Sequence, residues 1–132
     1  MLERLDIFFK VAATLAGGVT GYLFGGEALI NTLLVFVAID YLSGLIASAV
    51  EGKLSSKIGF RGIAKKVMIF AIVAVAHLID RVIGENDLVR DAAIYFYMAN
   101  ELLSIIENAG RTGLIVPEQV KGMVHVLKGK AK

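Results

Sequence analysis

The chain has 132 residues, 57% of them hydrophobic and 20% charged, with a mean hydropathy of +0.73. A soluble domain is about 45–50% apolar even with glycine counted, and about 25% charged, so this balance points to membrane residence rather than an aqueous globule. With no cysteine and one proline, a disulfide framework, thiolate chemistry and long disordered linkers are excluded, and the formal net charge of +2 matters less as a total than in where it falls.

Residues 5–24 form the first apolar run. As a helix it reaches about 30 Å, enough to span the hydrocarbon core. Glu3 and Asp6 offset Arg4 and Lys10, so there is no clean positive n-region and the segment reads as an uncleaved first helix. Ala13, Gly17, Gly21 and Gly25 recur every four residues. That ladder lies along one face and invites close approach of another helix, as small residues do in membranes.

Residues 28–50 form the second run, with one charge, Asp40, near its middle. An Asp there costs about 2.5–3.5 kcal/mol, which the surrounding Leu, Val and Ile can offset at about −0.3 to −0.6 each. Ser43, Gly44, Ala47 and Ser48 follow, giving a small, polar face. Asp40 is therefore expected to face protein or water rather than lipid, and Gly44 to support helix packing.

The stretch from Gly52 to Lys66 is the only long polar break. It carries Lys53, Lys57, Arg61, Lys65 and Lys66 and no acid. Basic loops of this length stay on the cytoplasmic side, and these five residues are expected to set topology and anchor the chain to the anionic inner leaflet, each contributing about 1 kcal/mol near the surface. The third run covers residues 63–83, with Lys65 and Lys66 at its cytoplasmic end and His77 and Asp80 on one face. Gly84 to Asp87 is an acidic turn suited to the outer side.

The fourth run, residues 88–106, is the least apolar. Asn100, Ser104, Glu107, Asn108 and Arg111 step at helical spacing opposite Ala92, Phe96, Ala99, Leu103 and Ile106. This amphipathic helix is expected to span with its polar stripe toward other helices or water, rather than to lie in the interface. An even count of spans puts the Lys-rich tail on the side of the basic loop. The expected organisation is all-α: a multi-pass transmembrane domain over residues 1–110, about four helices with both termini cytoplasmic, then a basic tail over 111–132 with a short amphipathic helix after Pro117.

No phosphate loop, paired-Cys zinc motif or Gly-x-Ser-x-Gly elbow occurs, so no enzyme, cofactor or metal site is expected. The polar residues inside the spans are Asp40, His77, Asp80, Asn100, Glu101, Ser104 and Glu107. Four uses compete for them: a metal or hydrolytic site, for which one histidine within the spans is too few, an ion or proton relay, hydrogen-bonded glue at about 0.6 kcal/mol per pair, or the wetted lining of an oligomeric hole.

Three stretches together carry a resemblance. The first is Ile39-Asp40-Tyr41-Leu42-Ser43-Gly44-Leu45-Ile46-Ala47. The second is Lys53-Leu54-Ser55-Ser56-Lys57-Ile58-Gly59-Phe60-Arg61-Gly62, running on to Lys65-Lys66-Val67 and then to His77-Leu78-Ile79-Asp80. The third runs from Tyr95-Phe96-Tyr97-Met98-Ala99-Asn100-Glu101 through Glu107-Asn108-Ala109-Gly110 and closes with Gly113 and Pro117. In order and spacing they resemble the phage lysis and toxin-secretion holin family of Gram-positive bacteria and their phages, over about Val37 to Val120. The resemblance implies a homo-oligomer in the bacterial cytoplasmic membrane that opens lesions. These pass endolysin to the cell wall, causing host lysis, or pass large proteins such as toxins, with no nucleic-acid partner. A small ion or proton channel and a holin-antagonist regulator are the alternatives.

Overall fold

The computed structural model describes residues 1–24 and 28–132, which form five α-helices and no strand. Helix α1 is Leu2–Phe24, α2 Ala28–Val50, α3 Ser56–Ile83, α4 Leu88–Arg111 and α5 Glu118–Lys130. Gly25, the last rung of the glycine ladder, lies outside the described residues.

The third helix begins seven residues before its expected start. Ser55 explains the difference: with φ −146° and ψ 158° it is an extended N-cap, and its Oγ accepts a hydrogen bond from the Ile58 N–H at 3.2 Å. That cap satisfies one of the orphan donors of the first turn. Most of the stretch read as a basic loop is therefore helix, and Lys57, Arg61 and Lys65 form an exposed i, i+4 row along the first turns of α3. At the other end Gly84 takes φ 77°, and its N–H and that of Glu85 both donate to the Asp80 carbonyl. A glycine in the left-handed region closes a helix without Cβ strain. Helix α4 runs five residues beyond the expected end because Asn108 and Arg111 find side-chain partners there, and the chain turns away at Gly113, φ 91°.

Two helices, α2 and α3, are long and apolar enough to cross a membrane. At 1.5 Å per residue they extend about 35 and 42 Å, against a hydrocarbon core of about 30 Å. They pack with α4 around a shared core of Ile30, Leu33 and Val37, Ile69 and Val73, and Ile94, Met98 and Ala99, which Leu127 of α5 joins. Helices α2 and α4 run parallel, since Asp40 meets Asn108 and Glu51 meets Arg111. Helix α3 runs antiparallel to both.

The outward faces are apolar. Leu34, Val35, Leu42, Ile46 and Val50 on α2, and Val67, Met68, Val75 and Val82 on α3, are each more than half exposed. In α1, Ile7, Phe8, Phe9, Leu15 and Val19 are more than half exposed as well. So much contiguous apolar surface opposes solubility in water and suits a lipid or protein surround.

The closest approach of α2 and α3 is made by glycines. A Cβ on Gly62 would stand 3.2 Å from the Tyr41 ring, and Tyr41 Oη donates to the Gly59 carbonyl at 3.4 Å. Gly62→Leu is expected to force the two helices apart and cost about 1–3 kcal/mol as overpacking, read as a lower unfolding midpoint in detergent. Gly62→Ala should be nearly neutral, because helix propensity gains about 1 kcal/mol against the crowding.

Candidate functional site

Polar side chains of the three packed helices gather into two clusters about 21 Å apart along α3. The inner one centres on Lys66. Its Nζ donates to Asp40 Oδ2 at 2.5 Å and to Glu101 Oε2 at 3.0 Å, tying α3 to both α2 and α4. All three side chains are at most 15% exposed. Asn108, one heptad beyond Glu101 and so on the same face of α4, donates through Nδ2 to Asp40 Oδ1 at 2.9 Å, to the Asp40 carbonyl at 3.2 Å and to Ser43 Oγ at 3.0 Å. Gly44 makes room for it, since a Cβ there would sit 3.5 Å from Asn108 Nδ2.

From Asn108 the hydrogen bonds continue outward. Arg111 donates through Nη1 to Asn108 Oδ1 at 3.2 Å and, through Nε and Nη2, to one oxygen of Glu51 at 3.1 and 2.6 Å. The polar line thus runs from Glu101 to the end of α2, about 16 Å along the helix from Asp40 to Glu51. Two cavities flank it. One of about 190 Å³ is bordered by Asp40, Gly44, Ser48, Lys66, Asn108 and Arg111. The other, of about 240 Å³, is bordered by Asp40, Lys65, Lys66, Tyr97, Asn100 and Glu101. Ser104, half-buried, borders both. Buried charges are tolerated when paired and hydrogen-bonded, and no fully buried side-chain nitrogen or oxygen among the described residues lacks a partner.

The Arg111 hydrogen bonds hold the Glu51 carboxyl below its ordinary range. A depressed carboxyl pKa contributes stability that is present above the unfolded value, about 4.3, and is lost as pH falls through the folded one. Glu51→Gln should remove that acid-side dependence, and carbon-13 titration of Glu51 should give a midpoint below the ordinary glutamate value of about 4.3.

The second cluster caps α4. Asp87, at its N-terminus, has φ 58° and makes no side-chain cap hydrogen bond. Asp80, fully buried on α3, takes over: Oδ1 accepts from the Val89 N–H at 2.9 Å and Oδ2 from the Arg90 N–H at 2.8 Å. The His77 ring lies 3.3 Å from Asp87 through Nδ1, and the buried Arg90 guanidinium holds Asp91 at 2.6 Å. Lys66 and Asp80 stand 14 residues apart on α3, about 21 Å, so Asp40 and Glu101 do not share a site with His77 and Asp80.

The stripe on α4 therefore splits. Glu101 and Asn108 turn inward, Ser104 stands at the margin, and Asn100 and Glu107 are exposed. Lys53, Lys57, Arg61 and Lys65 are exposed, as lipid anchoring would require, but Lys66 is not one of their kind. The sequence puts it with the anchors, at the cytoplasmic end of a helix expected to start at residue 63. The Ser55 cap was the available signal, since it starts α3 early enough to put Lys66 in the third turn. Ala13 is exposed, and among the described residues nothing lies within 4 Å of a Cβ built on Gly17 or Gly21.

Comparison with known proteins gives this arrangement a family. The sequence model of the bacteriophage holin family matches residues 18–129. A protein of Bacillus phage phi105 described as a probable holin is 34% identical over 107 residues, covering 81% of this chain and 79% of its own. An uncharacterised protein of Listeria innocua is 47% identical over 128 residues, covering 96% and 91%. One of Clostridium perfringens is 35% identical over 131 residues, covering 98% and 97%. No solved structure matches. With a model match over most of its length, and a phage relative bearing the holin name, the chain belongs to the bacteriophage holin family.

Proposed function

We propose that the chain acts as a holin: it accumulates in the bacterial cytoplasmic membrane as a multi-pass protein, associates with further copies, and opens lesions wide enough for an endolysin or another large protein. The N-terminus, the basic row of α3 and the start of α5 lie on the cytoplasmic side in this reading. The observation that carries it is the division of the chain's surface. Apolar residues cover much of the outsides of α1, α2 and α3, while the mid-span charges Asp40, Lys66 and Glu101 are tied to one another inside. Such a subunit presents lipid-compatible faces on three helices, and most of α1, which meets α3 near Tyr22, is left for contact with copies.

The glycine ladder supports the same reading, because Gly17 and Gly21 are open and small residues admit close helix approach. Gly17→Leu and Gly21→Leu are expected to leave the unfolding midpoint of the single chain unchanged within about 0.5 kcal/mol while reducing chemically cross-linked oligomers and delaying lysis.

Induced co-expression with a cytoplasmic cell-wall hydrolase tests the function. Abrupt loss of turbidity requiring both proteins is the expected result. Depolarisation without hydrolase escape would replace the holin with a narrow channel, and delay of lysis driven by another holin would make the chain an antagonist.

A further inference from the structure

Helix α5 does not lie where a basic amphipathic tail is expected. After Gly113 and Pro117 the chain doubles back, and α5 packs antiparallel along α4. Val124 and Leu127 are buried, Leu127 within the same core as Ile30 and Leu33 near the start of α2. Lys130 Nζ stands 5.7 Å from the centroid of the Tyr95 ring. Tyr95 is 16 residues from the end of α4, about 24 Å up the helix. Since α4 runs beside α2 over most of its length, the last turn of α5 reaches the level of the outer half of a membrane span.

Val120, Met123 and Val126 are exposed on the outer side of α5, but beside them runs a polar row that hydrocarbon would not accept at that level. Glu118, Lys121, His125 and Lys128 follow one another at spacings of three, four and three, and all are exposed. Each Lys facing hydrocarbon would cost about 2.5–3.5 kcal/mol at mid-membrane. Exposed Asn100 and Glu107 add polar groups on α4 itself. At the same depth, the outward residues of α2 and α3 are apolar, Leu34, Val35 and Val75 among them. The subunit therefore has a lipid side and a water side at one depth, which a lone copy in a bilayer cannot satisfy and a ring of copies around an aqueous hole can.

We propose that α5, docked on α4, forms part of the water-facing wall of the assembled lesion rather than an anchor on the leaflet surface. The assignment rests on the holin reading, which supplies the water.

The chain has no cysteine, so introduced thiols carry labels without background. Full-length protein with Glu85→Cys and Lys128→Cys, both exposed positions, would be spin-labelled and assembled in vesicles of phosphatidylcholine and phosphatidylglycerol loaded with a large dextran. Docked α5 predicts a separation of about 20 Å between the labels, whereas a helix extending past the inner end of α4 puts them beyond about 35 Å. A single label at His125→Cys should relax with a water-soluble nickel chelate more than with oxygen, and one at Val75→Cys the reverse. Dextran release with the long separation, or with oxygen dominant at position 125, overturns the wall assignment and leaves the holin reading standing. Dextran retention overturns the holin reading and the wall with it.

Discussion

Replacing Lys66 by methionine is expected to be the most damaging single change in the chain. It removes the one cation between Asp40 and Glu101 and leaves two buried carboxylates facing each other. Breaking a buried ion pair by deleting one partner costs about 3–5 kcal/mol, most of it the penalty of the charge left behind. Asp40→Asn and Glu101→Gln should each cost less, about 1–2 kcal/mol, because Lys66 keeps one carboxylate and the amide can still accept. The triple variant, Lys66→Met with both carboxylates neutralised, should recover most of the lost stability in detergent unfolding. If Lys66→Met alone unfolds like the unaltered chain, the network is wetted and the burial argument fails. The same series separates two roles. Should the triple variant recover both stability and lysis, the charges serve to join the helices. Recovered stability without lysis would instead mean that ionised groups are needed once the hole is open.

Asp80→Ala is expected to be the next most costly. It deletes two charge-assisted hydrogen bonds to the Val89 and Arg90 amides, and Asp87 offers no side-chain cap in their place. Hydrogen bonds to a charged group contribute about 1.5–3 kcal/mol, and loss of a helix N-cap costs about 0.5–2, so an overall loss of about 2–3 kcal/mol is expected. Asp80→Asn keeps one acceptor and should fall between. Hydrogen exchange at Val89 and Arg90 gives the local readout, since both amides should lose protection in Asp80→Ala before the rest of α4 does. Unchanged protection would show that the packing of Ile94 and Met98 alone holds the start of α4. The inner cluster sits about 20 Å or more away on α3, so the effects of Asp80→Ala and Lys66→Met should add.

Apolar runs broken by Gly25-Gly26, by the Gly52 stretch and by Gly84 to Asp87 were enough to divide the chain into helices, because helical hydrophobicity and turn residues are local properties. The family was legible for a related reason: the resemblance was carried by the order and spacing of short stretches that include Asp40, Glu101 and Asn108, which are read directly off the sequence. The mid-span position of Asp40 was likewise enough to show that it could not face lipid, since that follows from the cost of one charge. What the sequence could not supply was the partner. Lys66 lies 26 residues from Asp40 and 35 from Glu101, and only the antiparallel packing of α3 against the α2–α4 pair brings the three together. Asp80 looked like half of a pair with His77, yet its carboxylate is spent on backbone amides of α4, a group that no side-chain pattern advertises. Helix α5 shows the same limit: its amphipathic face is plain from Val124 and Leu127, but whether that face meets a membrane surface or α4 depends on which apolar surface lies within reach of the turn at Gly113, and only the tertiary structure decides that.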